Sequence, residues 1–294
     1  MAVALSELRA LVAKHSQGRS MAHPAFPDLV LGVEAMPTDP CRVVIEPVFA
    51  LVAQGAKRLQ AGAQCVDYGR GQYIVVPVGI PADSQVTEAS PRAPYLGVGL
   101  ILRPEPIASL IHEAGEAPSR EDVPTIGVDT LSPDLVDAVV RLLRILDRPT
   151  DLRVLGAALR REILWRLMTG PQGVRVRQLG FSDSRLARIA KATGWLREHF
   201  AETISVDDLA SAAGMSPTTF HRHFRAATAL TPIQYQKQLR LQAARLRLIS
   251  GDDDIATVGF AVGYDSPSQF SREYRRLFGK APLVDRNEAR AGVV

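Results

Sequence analysis

The sequence predicts an α+β chain of two unlike halves, a β-rich N-terminal half with flanking helices and an all-α C-terminal half. Three observations predict this. One short pattern (apolar helix, glycine, Ser-Pro, second helix) is written twice between residues 206 and 282. Residues 41–103 are short β-branched runs separated by turns, the pattern of an antiparallel sandwich or barrel of about six to eight strands. The charge divides in the same way. Residues 1–184 hold 19 Lys+Arg against 20 Asp+Glu, whereas residues 185–294 hold 16 against 11, so the basic excess of a +4 chain lies in the second half. A basic all-α half with a repeated helix-turn-helix points to a polyanionic partner.

At 294 residues the chain has room for two domains, placed at 1–180 and 181–294. Its hydrophobic content of 46% is ordinary for a globular protein. No apolar run is long enough to span a bilayer. The first 16 residues carry Glu7 and lack a cleavage site, so no signal peptide is expected. Two cysteines, Cys41 and Cys65, fit a reducing cytoplasm. The expected location is cytoplasmic, with no membrane partner.

Taken in order, the chain opens with an amphipathic helix whose Leu5, Leu8, Leu11 and Val12 share a face, followed by a segment punctuated by Pro24, Pro27, Pro37 and Pro40. Strands follow over 41–103, with turns at Gly55, Gly62 and Gly69–Gly71, and with Pro77, Pro81, Pro91 and Pro94 at edges and strand ends. Residues 104–113 read as helical, and 132–169 as a helical pair. Leu135, Val139, Leu142 and Leu146 form one stripe and Val136, Val140 and Leu143 a second, so both faces need covering. One covers the sheet; the other suits a second subunit, and a homodimer through 132–168 is expected. Residues 170–180, rich in glycine and charge, read as the linker. A further helix starts near Ser182 and carries Leu186, Ile189, Trp195, Leu196 and Phe200.

The repeat occupies 206–227 and 255–278. Its copies lie 49 residues apart before the turn and 50 after it. Ala210 and Gly259 are small where the two helices cross. Gly214 and Gly263 supply the turn with positive φ. Ser216 and Ser266 cap the second helix, with Pro217 and Pro267 at its first position. Phe220 with Phe224, and Phe270 with Tyr274, face the core. The opposite face offers Thr218, Thr219, His221, Arg222 and Arg225 in the first copy. In the second it offers Ser268, Gln269, Ser271, Arg272, Arg275 and Arg276. These types suit a recognition helix in a major groove: an arginine can fork onto guanine and Gln269 onto adenine. Arg225, Arg275, Arg276 and Lys280 fit phosphates.

Between the copies Thr231 caps a helix from Pro232 to Ile249, ~27 Å long at 1.5 Å per residue. That length would set the two recognition helices ~34 Å apart, one turn of B-DNA. Leu239, Ala243, Leu246 and Ile249 form its expected buried stripe. Arg240, Arg245 and Arg247 stand open between salt bridges, phosphate contacts and solubility. Asp252–Asp254 favour the N-terminus of the second unit.

From Ser184 to Pro282 these residues closely resemble the AraC/XylS family of transcriptional regulators. The most specific part runs through Ile255-Ala-Thr-Val-Gly-Phe and from Gly263-Tyr-Asp-Ser-Pro to Gly279-Lys-Ala-Pro282, with Arg240-Leu241 and Ala244 on the linker helix. The resemblance implies base reading by Thr218, His221 and Arg222, then by Ser268, Gln269 and Arg272, in adjacent major grooves of one asymmetric site. RNA polymerase is a candidate partner. Ala229 departs from the family's usual glycine, so the first unit is expected to end differently there. The N-terminal half resembles the family's regulatory domain, which implies a cupin-like β-barrel followed by dimerising helices and a small-molecule effector.

No enzyme chemistry is expected. His15, His23 and His112 form no facial triad, the two cysteines are too few for a zinc-bound module, and Gly69-Arg70-Gly71 is no dinucleotide fingerprint. No metal, cofactor or catalytic residue is therefore assigned. Phe49, Cys65, Tyr68, Tyr73 and Tyr95 are the candidate effector residues; each stands open against plain core packing, and Cys65 also against a sensing thiol. The rivals to a regulator are a small-molecule-processing cupin-type enzyme with a DNA-binding tail and an effector-free architectural DNA binder.

Overall fold

The computed structural model describes residues 2–62, 64–115, 126–181 and 184–291. Within them the chain is α+β, as expected. The N-terminal strands form two antiparallel sheets. The first has six strands in the order β1 (Met21–His23), β2 (Phe26–Glu34), β9 (Tyr95–Ile101), β4 (Val48–Gln54), β7 (Gln72–Val76) and β10 (Gly127–Thr130). The second has four, in the order β3 (Cys41–Ile45), β8 (Ile80–Glu88), β5 (Ala56–Ala61) and β6 (Gln64–Gly69).

The sheets face each other without closing into a barrel, which corrects the cupin-like expectation in its geometry but not its class. The chain passes between them at short crossings, and two of these lie side by side. Residues 46–47 join β3 to β4, and residues 77–79 join β7 to β8. The flanking residues are register partners, Val48 with Val76 in one sheet and Ile45 with Ile80 in the other. Pro47 and Pro77 suit such crossings because a residue without an N–H cannot continue a ladder.

Alternation divides the six-stranded sheet between two cores. One face carries Phe49, Leu51, Tyr73, Val75, Leu96 and Val98 toward the helices. The other carries Val52, Ile74, Val76 and Tyr95 toward Leu59, Tyr68 and Val86 of the four-stranded sheet. Helix α1 (Ala2–Ser16) buries Leu8 and Val12 completely on the first face. Helices α2 (Pro104–Ala114), α3 (Pro133–Arg144) and α4 (Pro149–Thr169) complete that layer, and α3 buries both of its apolar stripes within the chain, so neither is left over for the expected second subunit. The expected helical pair is thus real, with its break at residues 145–148.

Three expectations change. Residues 24–40 contain the nine-residue strand β2, in which Pro27 lies between Phe26, paired with His23, and the run from Leu29 that pairs with β9. The expected linker at 170–180 is instead helix α5 (Gly173–Gly180), held by Val176 and Leu179 at 0% and 1% exposure. The helix expected near Ser182, which lies outside the described residues, is α6 (Arg185–Glu198), capped by the Ser184 hydroxyl accepting from the Ala187 N–H.

The C-terminal half follows as α7 (Val206–Ala212), α8 (Pro217–Thr228), α9 (Pro232–Ser250), α10 (Ile255–Ala261), α11 (Pro267–Phe278) and α12 (Pro282–Ala291). It holds two cores. Ile189, Leu196, Phe220, Phe224 and Tyr235 centre the first, and Leu241, Leu248, Val258, Phe270 and Tyr274 the second. No helix among the described residues is long and apolar enough to cross a membrane.

Candidate nucleic-acid interface

Each helix-turn-helix is assembled by local rules. The turns place Gly214 at φ 63° and Gly263 at φ 90°, conformations that cost any L side chain strain. Gly259 lies where α10 crosses α11; a Cβ there would meet the Phe270 ring at 3.1 Å. The Ser216 and Ser266 hydroxyls accept from the N–H groups of Thr219 and Gln269, each at 3.4 Å. Phe220, Phe224, Phe270 and Tyr274 are all at 0% exposure. These anchors fix the rotation of α8 and α11, which decides what the outer faces present.

Those faces carry the predicted residues. Thr218, His221, Arg222 and Arg225 on α8 are exposed, as are Ser268, Arg272, Arg275 and Arg276 on α11 and Lys280 beyond it; Thr219, Gln269 and Ser271 are half-buried. The guanidinium groups of Arg222, Arg225, Arg272, Arg275 and Arg276 make no hydrogen bond or ion pair among the described residues. Many arginines elsewhere are paired, among them Arg42 with Asp83, Arg58 with Asp67, Arg144 with Glu7 and Arg160 with Asp28. Five unneutralised cations on two helix faces form a surface for polyanions. Lys280 differs, because its ammonium pairs with Glu288. Gln269 also has a neighbour, since its amide donates to Glu273 at 3.4 Å.

Glu273 shows how the second unit holds its recognition helix. Burial pushes its carboxyl up, but donors Lys237 at 2.9 Å, Tyr264 at 3.0 Å and Gln269 outweigh this and hold it below the ordinary value. A second lock joins three elements. Asp285 on α12 accepts from Arg245 of α9 through Nε at 2.8 Å and Nη2 at 3.2 Å, and from the Tyr274 phenol at 2.7 Å. Arg240 donates to the carbonyls of Phe200 at 2.7 Å, Gly263 at 2.6 Å and Glu202 at 2.9 Å. Two of the three arginines left open on the linker helix are therefore structural.

The linker helix runs one residue beyond the expected end, to Ser250, and starts at a full capping box of Thr231 and Gln234. Its buried stripe is Tyr235, Leu239, Leu241, Ala244 and Leu248. The expected stripe shares Leu239 with this one and then drifts out of phase: Ala243 and Ile249 are half-buried and Leu246 is 69% exposed. A helix packed between two cores buries two stripes, so a single four-residue periodicity mistakes the seam between them. At Ala229 the expectation of a different ending is corrected. The residue takes the left-handed C-cap at φ 63°, its N–H donating to the Arg225 carbonyl at 2.8 Å. The Thr228 hydroxyl braces the turn, donating to Phe224 at 2.8 Å and accepting from the Leu230 N–H at 3.3 Å.

Beside the first unit lies a basic hollow of ≈ 420 Å³, lined by Arg185 and Arg188 of α6 and by Gly214, Ser216, Thr219 and His223. Sequence reasoning missed it, because α6 lies outside the repeated pattern.

The five candidate effector residues are not brought together. Phe49 and Tyr73 touch edge to face at 5.5 Å on the helix side of the six-stranded sheet. Cys65 is exposed on β6, so it is not buried filler. Tyr68 and Tyr95 do share the space between the sheets, with Lys57, which sequence reasoning missed. The Lys57 ammonium sits 5.7 Å from the Tyr95 ring centroid. Burial lowers its pKa, and the Glu34 charge only partly offsets this. Among the described residues no three His, Cys, Asp or Glu side chains gather as a metal site.

The model of the AraC-type transcriptional regulator N-terminus matches residues 25–175, more than half of the chain, and the model of a helix-turn-helix domain matches residues 209–288. The chain belongs to the AraC-type transcriptional regulators. Among curated relatives it is similar to the HTH-type transcriptional activator RhaS of Pectobacterium carotovorum, 33% identical over 40% of this chain and 43% of that one. RhaS of Escherichia fergusonii is 38% identical over 33% and 34% of the two chains. The chain thus spans less than half the length of these relatives. Among solved structures, an apo form of ToxT from Vibrio cholerae shares the fold, with a TM-score of 0.60, 9% identity, and coverage of 87% of this chain and 96% of that one.

Proposed function

We propose that this AraC-type chain is a sequence-specific DNA-binding transcription regulator, a binding protein and not an enzyme, working in the cytoplasm. The observation that carries the reading is the pair of matched recognition helices whose five exposed arginines lack partners within the described chain. Thr218, His221 and Arg222 would read one major groove and Ser268, Gln269 and Arg272 the next. Arg225, Arg275, Arg276 and Lys280 would hold phosphates, with Lys280 exchanging its pairing to Glu288 for one to DNA. Helix α9, 19 residues and ~28 Å long at 1.5 Å per residue, supports a spacing of one helical turn.

In the same reading, residues 1–180 form a regulatory domain and 181–294 the DNA-binding domain. Exposed Val154 and Leu155 on α4, beside the hollow at Ile145 and Leu159, support a homodimer through 132–168. The inter-sheet space at Lys57, Tyr68 and Tyr95 is the place for a small effector. Selection of bound DNA from a random pool, followed by titration across salt, tests the reading. Affinity should fall steeply with salt, by a slope of about −0.9 per phosphate contact. Affinity indifferent to salt would remove the DNA role.

A further inference from the structure

The side-by-side crossings at 46–47 and 77–79 are also places where the DNA-binding half grips the N-terminal half. The Tyr235 phenol of α9 donates to the Gly79 carbonyl at 3.1 Å, in a buried position 156 residues away along the chain. Arg197 of α6 pairs with Glu46. A Cβ on Gly79 would meet the Tyr235 oxygen at 3.0 Å and the Arg197 Cδ at 3.8 Å, so both contacts converge on one spot. Val78 is fully buried, and it belongs to the core of the first helix-turn-helix with Phe220, Phe224 and Tyr235. The Tyr235 ring stands edge-on to Phe224 of recognition helix α8 at 5.5 Å. One side chain therefore touches the crossing, the linker helix and the first recognition helix. The core of the second unit contains no residue of either sheet among the described residues, and its brace Arg245 meets β3 at the exposed Cys41 Sγ, 3.7 Å from Nη1.

We infer that these paired crossings are the joint through which the sheets control DNA binding, with Tyr235 and Arg197 as its positioning residues on the DNA side; the inference rests on the DNA-binding reading. Each crossing has one foot in each sheet, so any change in the spacing of the sheets moves both crossings together. Gly79 and Glu46 then carry that movement to α9 and α6. The first recognition helix is reoriented, while the second, braced by Asp285 and Glu273 and with no described sheet residue in its core, moves less.

Because coupling between sites is reciprocal, DNA must act back on the crossings. The test therefore needs no effector. Hydrogen exchange of the full chain is followed with and without a saturating selected DNA duplex. Saturation should change exchange at 76–80 and 44–48 by about fivefold or more, the lower end of ordinary coupling. The double variant Tyr235→Phe with Glu46→Gln keeps the ring in its core and should abolish that change while still binding the duplex. Gly79→Ala, which presses on the Tyr235 oxygen, should weaken the first half-site and spare the second. An unchanged wild-type exchange pattern on saturation, or a response that persists in the double variant, overturns the inference. Absence of any binding by the wild type would instead overturn the DNA-binding reading. In that case thermal unfolding still decides the joint: one transition in the wild type and two in the double variant support it, and identical melting of both rejects it.

Discussion

The two helix-turn-helix units share one recipe and differ in what holds them. The first completes its core with Val78, and with half-buried Val44, from the sheets. It ends at an alanine forced into the left-handed region and is braced there by Thr228. Among the described residues the second takes no sheet residue into its core, shares Phe200 with the first, ends at Gly279 at φ 75°, and is tied by Asp285 to α9 and α12. A repeated pattern thus specifies the local shape of each unit and leaves its neighbours to decide whether the unit is autonomous. The first packs its core against the N-terminal half, and the second packs within the C-terminal half.

The largest effects should come from the aromatic anchors. Phe270→Ala should cost about 3–5 kcal/mol, with the raised hydrogen exchange confined to α9–α12. Phe220→Ala should cost a similar amount, yet also raise exchange at 76–80, because its core includes Val78. Exchange confined to the C-terminal half in both variants would erase the difference between the units.

The helix ends offer a smaller and sharper comparison. Nothing lies within 4 Å of a Cβ on Gly279, so Gly279→Ala meets backbone strain alone and should lose about 1 kcal/mol in denaturant unfolding. Ala229→Gly should relieve the same strain in the first unit by about as much. Its methyl also faces Gly62 of the β5–β6 turn, where an added Cβ would come within 2.5 Å of it, so part of the gain should return as a looser contact with the sheets.

The smallest effect should come from pH. Hydrogen bonds from the Thr257 hydroxyl and from the N–H groups of Thr257 and Ala256 hold the Asp254 carboxyl below its ordinary 3.8. A depressed pKa contributes stability above the unfolded value, and that contribution is lost as pH falls through the folded one. Amide exchange at the start of α10 should therefore accelerate relative to α7 below pH 3.8. Asp254→Ser should remove that pH dependence. The first unit is capped by Ser205, which does not titrate in this range, and lacks this cap-linked loss.

The repeat was legible because caps, turn glycines and i,i+4 aromatics are short-range rules, and all of them act within about 25 residues of chain. The strands of 41–103 were legible for the same reason. What was missed depends on distant partners. Helix α5 looks like a linker until Val176 and Leu179 are seen to fill the N-terminal core. Strand β10 is four residues whose pairing with β7 spans more than 50 positions. Arg240 and Arg245 read as surface cations, and only the fold supplies the carbonyls and the carboxylate they bind. Tyr235 carried no signal for Gly79. Among the effector candidates, strand alternation separates Phe49 and Tyr73 from Tyr68 and Tyr95, a division that composition does not reveal.

If two unequal units read two parts of one site, paired variants on a selected duplex separate their contributions. Binding of Arg222→Ala and Arg272→Ala is measured against every single-base change in that duplex. Each variant should lose about 1–3 kcal/mol and relax preference at its own cluster of positions, the clusters lying one helical turn apart. Variants that bind like the parent, or that relax preference at the same positions, would mean that the two helices do not read separate parts of the site.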